Sequence, residues 1–183
     1  MIYKKIVTKE KVKAESSTKS SFLDELLALK NITQEDKIKK FLNPSRNDFI
    51  SPYTFSDMKK AVDRIQKAVE LNQKILIWGD FDCDGVTSTS VLYKALKRLN
   101  ANVLTFIPDR LLHGHGLNNK ELLGFVSKQQ VKLVITVDCG ISNISEVRLL
   151  KGLGVDTIIT DHHSTDSELP DAFAIINAQV ANA

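Results

Sequence analysis

Short apolar, β-branched runs alternate with helical stretches through the later part of the chain, and this alternation restricts the fold more than any other feature. The runs are Lys74–Gly79, Asn102–Ile107, Leu133–Val137 and Thr157–Thr160, with a fifth, Phe173–Ile176, close to the end. Helical segments lie near 86–99, 119–128 and 143–152 between them. Strand and helix in repetition predict an α/β fold: βαβ units, a mostly parallel five-stranded sheet and right-handed crossovers, with helices on both faces.

The first four runs end alike, in Trp78-Gly79-Asp80, Ile107-Pro108-Asp109, Thr136-Val137-Asp138 and Ile159-Thr160-Asp161. In an open α/β sheet the carboxyl ends of parallel strands share one edge, and ligands bind in the crevice outside it. A single aspartate there is an ordinary turn or cap residue. Four in succession are harder to explain as caps, with Asp82 and Asp84 after the first and His162-His163 after the last.

Carboxylates gathered in this way repel one another, and some would have to stay protonated unless a divalent cation joined them. Aspartate oxygens with histidine nitrogens suit manganese, magnesium or zinc, and the absence of a cysteine-rich ligand set argues against a structural zinc site. Asp82, Asp84, Asp138 and His162, if they converge, are ligands enough for two ions sharing a carboxylate. Two ions about 3.5–4 Å apart are a standard device for hydrolysing phosphate esters. Arg110 can grip a phosphate with two parallel hydrogen bonds. Gly114 and Gly116 let their loop approach a ligand closely. Gly85-Val86-Thr87 opens the helix after the first strand, a favourable position for an anion. His113, His115 and His163 are candidate donors or general acids.

Cys83 and Cys139 each sit beside an aspartate at a strand end and do not make a disulfide framework, which points to a reduced, cytoplasmic protein. If 80–84 is extended, Cys83 and Phe81 face away from Asp80, Asp82 and Asp84 into the apolar layer. Cys139 reads as a small residue in the tight turn before Gly140.

Residues 1–20 read as a basic lead, and 1–19 carry six lysines against two glutamates. A solvated arm and an arm touching nucleic acid both stay open for it. The segment 21–72 is expected to be helical and to pack on the core. Phe22, Leu23, Leu26, Leu27 and Leu29 form one apolar face, and Ile38, Phe41 and Leu42 continue in a second helix ending near Asn43-Pro44. Ser56 is the expected N-cap of a third helix, whose apolar face is Met58, Ala61, Val62, Ile65, Ala68 and Val69. The remainder, 73–183, is the α/β catalytic unit. With 183 residues, 43% apolar and 26% charged, the composition is that of a soluble globular chain. It has neither a membrane-spanning run nor a secretory signal. The net charge of +3 is compatible with a nucleic-acid partner without requiring one.

These residues, taken together, resemble the DHH phosphoesterase superfamily. Asp80-Phe81-Asp82-Cys83-Asp84-Gly85 is similar to its first motif. Pro108-Asp109-Arg110 with His113-Gly114-His115-Gly116-Leu117-Asn118 is similar to its second. Val137-Asp138-Cys139-Gly140-Ile141 is similar to its third, and Asp161-His162-His163 to the motif that gives the family its name. The helical lead, the FLNP segment at 41–44, the SDMKKAVDRI segment at 56–65 and the form of the second motif resemble the bacterial RecJ branch, single-strand-specific 5′→3′ DNA exonucleases.

The resemblance implies hydrolysis of a phosphodiester with Mn²⁺ or Mg²⁺ at two metal positions, releasing 5′-nucleotides. It implies that Asp82 and Asp138 hold the first ion with Asp80 nearby, and that Asp84, Asp138 and His162 hold the second. Arg110 and His163 would engage the scissile phosphate, Asp161 would support the histidines, and Gly114, His115 and Gly116 would contact substrate. It also implies single-stranded DNA as partner, a single-strand-binding protein or helicase as protein partners, and a place in DNA repair or recombination. Two departures stand out. The family usually has tyrosine where this chain has His115, which bears on substrate contact and not on the metals. The family also continues past a segment like Ile175-Ile176-Asn177-Ala178 into a further metal-binding aspartate and a DHH-associated domain, whereas this chain stops at Ala183. The expectation is weak metal binding and low or no processive exonuclease activity for this chain alone.

Two rivals remain open: a DHH hydrolase of short oligonucleotides, cyclic dinucleotides or pyrophosphate, and a non-catalytic binding protein on the same fold. A dinucleotide-binding Rossmann domain is disfavoured, because no GxGxxG opens the first helix and Asp80-Phe81-Asp82-Cys83-Asp84-Gly85 places acid where a pyrophosphate would lie.

Overall fold

A computed structural model of the chain describes residues 21–112, 114, 116–117, 119–165 and 168–180. The basic lead at 1–20, His113 and His115 lie outside the described residues. The chain divides into two compact units, one ending at Ile50 and one beginning at Ser51. In the first unit, α1 (Phe22–Leu29) opens on a capping box: Ser21 Oγ accepts from the Asp24 N–H, and the Asp24 carboxylate accepts from the Ser21 N–H at 2.8 Å. The second helix, α2 (Glu35–Leu42), stops before Pro44, as expected, and at the turn that follows the Asp48 carboxylate accepts both the N–H and the hydroxyl of Ser45, at 2.8 and 2.7 Å.

The second unit is a five-stranded sheet of order β2-β1-β3-β4-β5, parallel throughout. Its strands are β1 (Lys74–Gly79), β2 (Val103–Phe106), β3 (Val131–Val137), β4 (Asp156–Thr160) and β5 (Ala174–Ile176). Among the described residues four α-helices complete it: α3 (Met58–Glu70), α4 (Cys83–Arg98), α5 (Asn119–Gln129) and α6 (Ile144–Gly152). Strand residues alternate between two apolar layers. Ile75, Ile77, Leu133 and Ile135 pack with Ala61 and Ala68 of α3 and Leu96 of α4. Leu76, Trp78, Val134 and Ile159 pack with Leu122 and Val126 of α5 and Val147 and Leu150 of α6. Helices therefore cover both faces, and the central strands are apolar on both sides, as a buried parallel sheet requires.

Two local expectations need correction. The N-cap of α3 is Asp57, not Ser56, and the Asp57 side chain does not cap the helix. Its carboxylate instead accepts the Ile175 N–H of β5 at 2.9 Å, latching the helix start to the edge strand. The segment 80–84 is not extended to its end. Asp82 Oδ1 accepts the N–H groups of Asp84 and Gly85, each at 3.0 Å, and starts α4 at Cys83. Cys83 is consequently exposed on the first helical turn and does not enter the apolar layer, while Cys139 is buried.

Chain order turns back at β1, whose neighbours are β2 on one side and β3 on the other. The crevice outside the carboxyl ends of β1 and β3 is the switch point at which open α/β sheets place ligands.

Candidate metal centre

Sheet hydrogen bonds continue one residue beyond the strands and pin the aspartates that follow. The Asp138 N–H donates to the Thr160 carbonyl at 3.0 Å, and the Asp161 N–H donates to the Ile176 carbonyl at 3.1 Å. Asp138 then turns with φ 63°, in the left-handed region that aspartate enters more readily than most residues. Gly140 follows at φ 110°, where a Cβ would lie 2.7 Å from Thr136 Oγ1, so the turn under Asp138 admits only glycine.

At the end of β1, Asp80 is buried, and its carboxylate accepts the Phe81 N–H at 2.9 Å. Gly85 packs so closely on the Asp80 backbone that a Cβ would lie 2.3 Å from its carbonyl oxygen. This close approach sets Asp82 and Asp84 beside Asp138.

Carboxylate oxygens of Asp80, Asp82 and Asp138 lie within 4.8 Å of one another. Ligand atoms of Asp138, His162 and His163 do likewise, so Asp138 belongs to both groups. His162 Nε2 is 2.9 Å from Asp138 Oδ1. Asp84 joins Asp138 and His162 in lining a cavity of about 300 Å³. A neighbouring cavity of about 340 Å³ is lined by Asp80, Asp138, Gly116, Asp161 and His163.

Electrostatics separate these carboxyls. Burial, and then the Asp82 charge beside it, push the Asp138 carboxyl above the usual carboxylate range. The Gly85 N–H holds Asp82 below that range, assisted by a hydrogen bond with Asp138. The two acids repel when both are ionised. A hard divalent cation among these oxygens and imidazoles would offset that repulsion, so the donor set fits Mn²⁺ or Mg²⁺.

Asp161 lies beneath the histidines. Its side chain is 1% exposed, and Oδ1 accepts the His162 and His163 N–H groups at 2.7 and 3.1 Å. Oδ2 accepts the Ile141 N–H at 3.1 Å, and His163 Nδ1 stands 2.7 Å from Oδ1. Burial works against its charge, yet these hydrogen bonds bring the carboxyl below the ordinary range. His163 is raised, chiefly by its bond to Asp161.

Arg110 is exposed, with its guanidinium 5.4 Å from the centre of the ring of Phe81, the residue between Asp80 and Asp82 in sequence. Asp109 is not grouped with the ligand aspartates; it accepts the Leu111 and Leu112 N–H groups and forms the turn at the start of the loop. Gly114 and Gly116 have φ of 73° and 72°. Sequence reasoning missed Asn143. Its side chain bonds both the N–H and the carbonyl of Leu117, at 3.1 and 3.3 Å, while Trp78 Nε1 donates to the Gly116 carbonyl at 3.1 Å. These three bonds dock the glycine loop against β1 and α6. The only sequence signal for Asn143 was its position just before a helix.

Residues 74–183 match the DHH family, N-terminal domain. The chain is 41% identical over 152 residues to the single-stranded-DNA-specific exonuclease RecJ of Bacillus subtilis, covering 83% of this chain and 19% of that protein. It is 31% identical over 180 residues to the RecJ of Haemophilus influenzae, covering 97% of this chain and 30% of that protein. The crystal structure of an exonuclease RecJ bound to manganese superposes with TM-score 0.65 at 32% identity, over 70% of this chain and 33% of the other. The chain thus spans less than a third of the length of either curated relative.

Proposed function

The chain belongs to the DHH family, and from that membership we propose that it carries the metal-dependent phosphodiesterase core of a RecJ-like 5′→3′ exonuclease acting on single-stranded DNA. The observation that carries this reading is the sharing of Asp138 between two ligand groups, Asp80–Asp82–Asp138 and Asp138–His162–His163. Two groups with one carboxylate in common are what a two-ion phosphoesterase site needs. The manganese in the RecJ crystal structure named above supports Mn²⁺ as the ion.

In this reading Asp82 and Asp138, with Asp80 beside them, would hold one ion, and Asp138 and His162, with Asp84 lining the same cavity, would hold the other. Ions held there would supply Lewis-acid activation of water and charge neutralisation at the leaving oxygen. The protein's own part is to place and to donate. Asp161 fixes the His163 ring through Nδ1, leaving Nε2 to face the phosphate. His163, kept protonated more readily than an ordinary histidine, donates from Nε2 to a phosphate oxygen. Arg110, on the Phe81 side of the crevice, takes a second phosphate oxygen. Gly114 and Gly116 would contact the strand; the same expectation for His115 falls outside the described residues. A single-strand-binding protein or a helicase is the expected partner that would present such a strand.

The test is release of 5′-nucleotides from a 5′-labelled single strand by this chain. Slow Mn²⁺-dependent release that stops with chelator and in Asp82→Asn is expected. Binding of the strand without hydrolysis, in protein shown to hold Mn²⁺, would favour a non-catalytic role. Preference for dinucleotides or pyrophosphate over the strand would favour a small-substrate hydrolase.

A further inference from the structure

A second cavity, of about 790 Å³, lies along α3 and is larger than either cavity at the strand ends. It belongs wholly to the unit that begins at Ser51 and opens at the amino ends of β3 and β4. Asp156 lines it at the start of β4, whereas Asp161 follows the other end of that strand. Five residues at ~3.3 Å each put roughly 16 Å between them.

Five cations line this groove, Lys59, Lys60, Arg64, Lys67 and Lys132, against two carboxylates, Asp63 and Asp156. Five less two leaves a surplus of three, equal to the +3 of the whole chain.

The floor of the groove is built, not incidental. Arg64 is 9% exposed, and each of its three guanidinium nitrogens makes a hydrogen bond within the protein. Nε bonds Asp156, one terminal nitrogen bonds Gln73 Oε1 at 3.0 Å, and the other bonds the Lys132 carbonyl at 3.1 Å. This joins α3, the turn before β1, and strands β3 and β4 into a rigid base. Lys59 is paired with Asp63, and the Lys60 ammonium lies 4.9 Å from the centre of the Phe173 ring. Lys67 and Lys132 are exposed and have no ion-pair partner among the described residues. At Gly154, on the rim, nothing lies within 4 Å of where a Cβ would be, so a ligand can reach the backbone.

We propose that this groove is a second anion site, separate from the metal centre, that binds a phosphate-bearing ligand: a nucleotide or a stretch of nucleic-acid strand. The volume suits a ligand of nucleotide to short-oligonucleotide size. Lysines act as point charges well matched to phosphate, whereas the one arginine fork that would favour a carboxylate is already consumed inside the protein. This site does not depend on metal, so it stands or falls apart from the phosphodiesterase reading.

The test is fluorescence anisotropy of a labelled oligothymidylate at low ionic strength in excess chelator, where the acidic strand-end site repels phosphate. Lys67→Glu with Lys132→Glu is expected to weaken binding by about tenfold or more. The charge-matched control, Lys94→Glu with Lys128→Glu on α4 and α5, is expected to change it by less than about twofold. The milder Lys67→Gln with Lys132→Gln pair should fall between wild type and the Glu pair, and Mn²⁺ uptake should be the same in all. Competition by dTMP as effective as by unlabelled strand identifies a nucleotide as the ligand; competition by strand alone identifies the nucleic-acid backbone. Equal weakening in the groove and control variants, or no binding by the wild-type chain, overturns the proposal.

Discussion

His162 Nε2 stands 2.9 Å from Asp138 Oδ1, joining the end of β4 to the end of β3 across the crevice. Asp138 is largely buried, faces the Asp82 carboxylate as well, and holds a left-handed backbone. Its raised pKa means that its contribution to stability is lost as pH rises from the ordinary carboxylate value through the folded one. Once ionised, Asp138 faces the Asp82 charge with no cation between them. Asp138→Asn removes that charge and keeps a residue that tolerates positive φ. We predict that it leaves the metal-free protein as stable as wild type or more stable, by up to about 1 kcal/mol. Thermal melting in chelator checks this, and Asp138→Ala, which adds backbone strain, should be the less stable of the two.

The Asp161–His163 pair has opposite linkage on its two members. His163 is raised, so its share of stability is complete below the unfolded value near ~6.5 and fades as pH rises through the folded value. Asp161 is lowered, so its share is complete above the unfolded value near ~3.9 and fades as pH falls through the folded value. Histidine NMR titration in chelator should place His163 above an ordinary histidine, and Asp161→Asn should bring it back. Replacement by alanine, leaving the N–H groups of Ile141, His162 and His163 without an acceptor, is expected to cost about 2–4 kcal/mol.

Gly85→Ala is expected to damage the site from within the first motif. The new Cβ would meet the Asp80 carbonyl oxygen at 2.3 Å, and neither backbone can yield without moving Asp82. A loss of about 1–3 kcal/mol is expected. Urea unfolding measures the loss, and weakened Mn²⁺ uptake would show that Asp82 has shifted.

Asp57→Ala should loosen the edge of the sheet. The carboxylate is the acceptor for the Ile175 N–H at 2.9 Å, and its loss leaves that donor without a protein partner. A cost of about 1–2 kcal/mol is expected. Faster hydrogen exchange confined to β5 would locate it; unchanged exchange at Ile175 would count against the latch.

The pattern of strands and strand-end aspartates was readable because it is local. β1 occupies the expected Lys74–Gly79, and β3 and β4 begin one or two residues earlier than expected. Asp80, Asp138 and Asp161 are brought together because parallel strands share an edge, which follows from βαβ order alone, whereas Asp109 turns away into its own loop. Errors arose where a side chain competed with backbone periodicity. Asp82 begins α4 by capping Asp84 and Gly85, and that cap exposes Cys83. Long-range contacts left no pattern to read. Asp57 meets Ile175 across 118 positions, and Arg64 meets Asp156 across 92. In sequence Arg64 reads as one more charge on an amphipathic helix, although it is the buried floor of the basic groove.

The most direct test of the central claim is Mn²⁺ binding to this chain, followed by paramagnetic resonance or calorimetry, in wild type and in Asp138→Asn. Saturable binding by the wild type, weakened at least about 100-fold in the variant, is the predicted result. Binding that survives the loss of Asp138, or a folded wild-type chain that takes up no Mn²⁺, would contradict a metal centre built on the carboxylate common to both ligand groups.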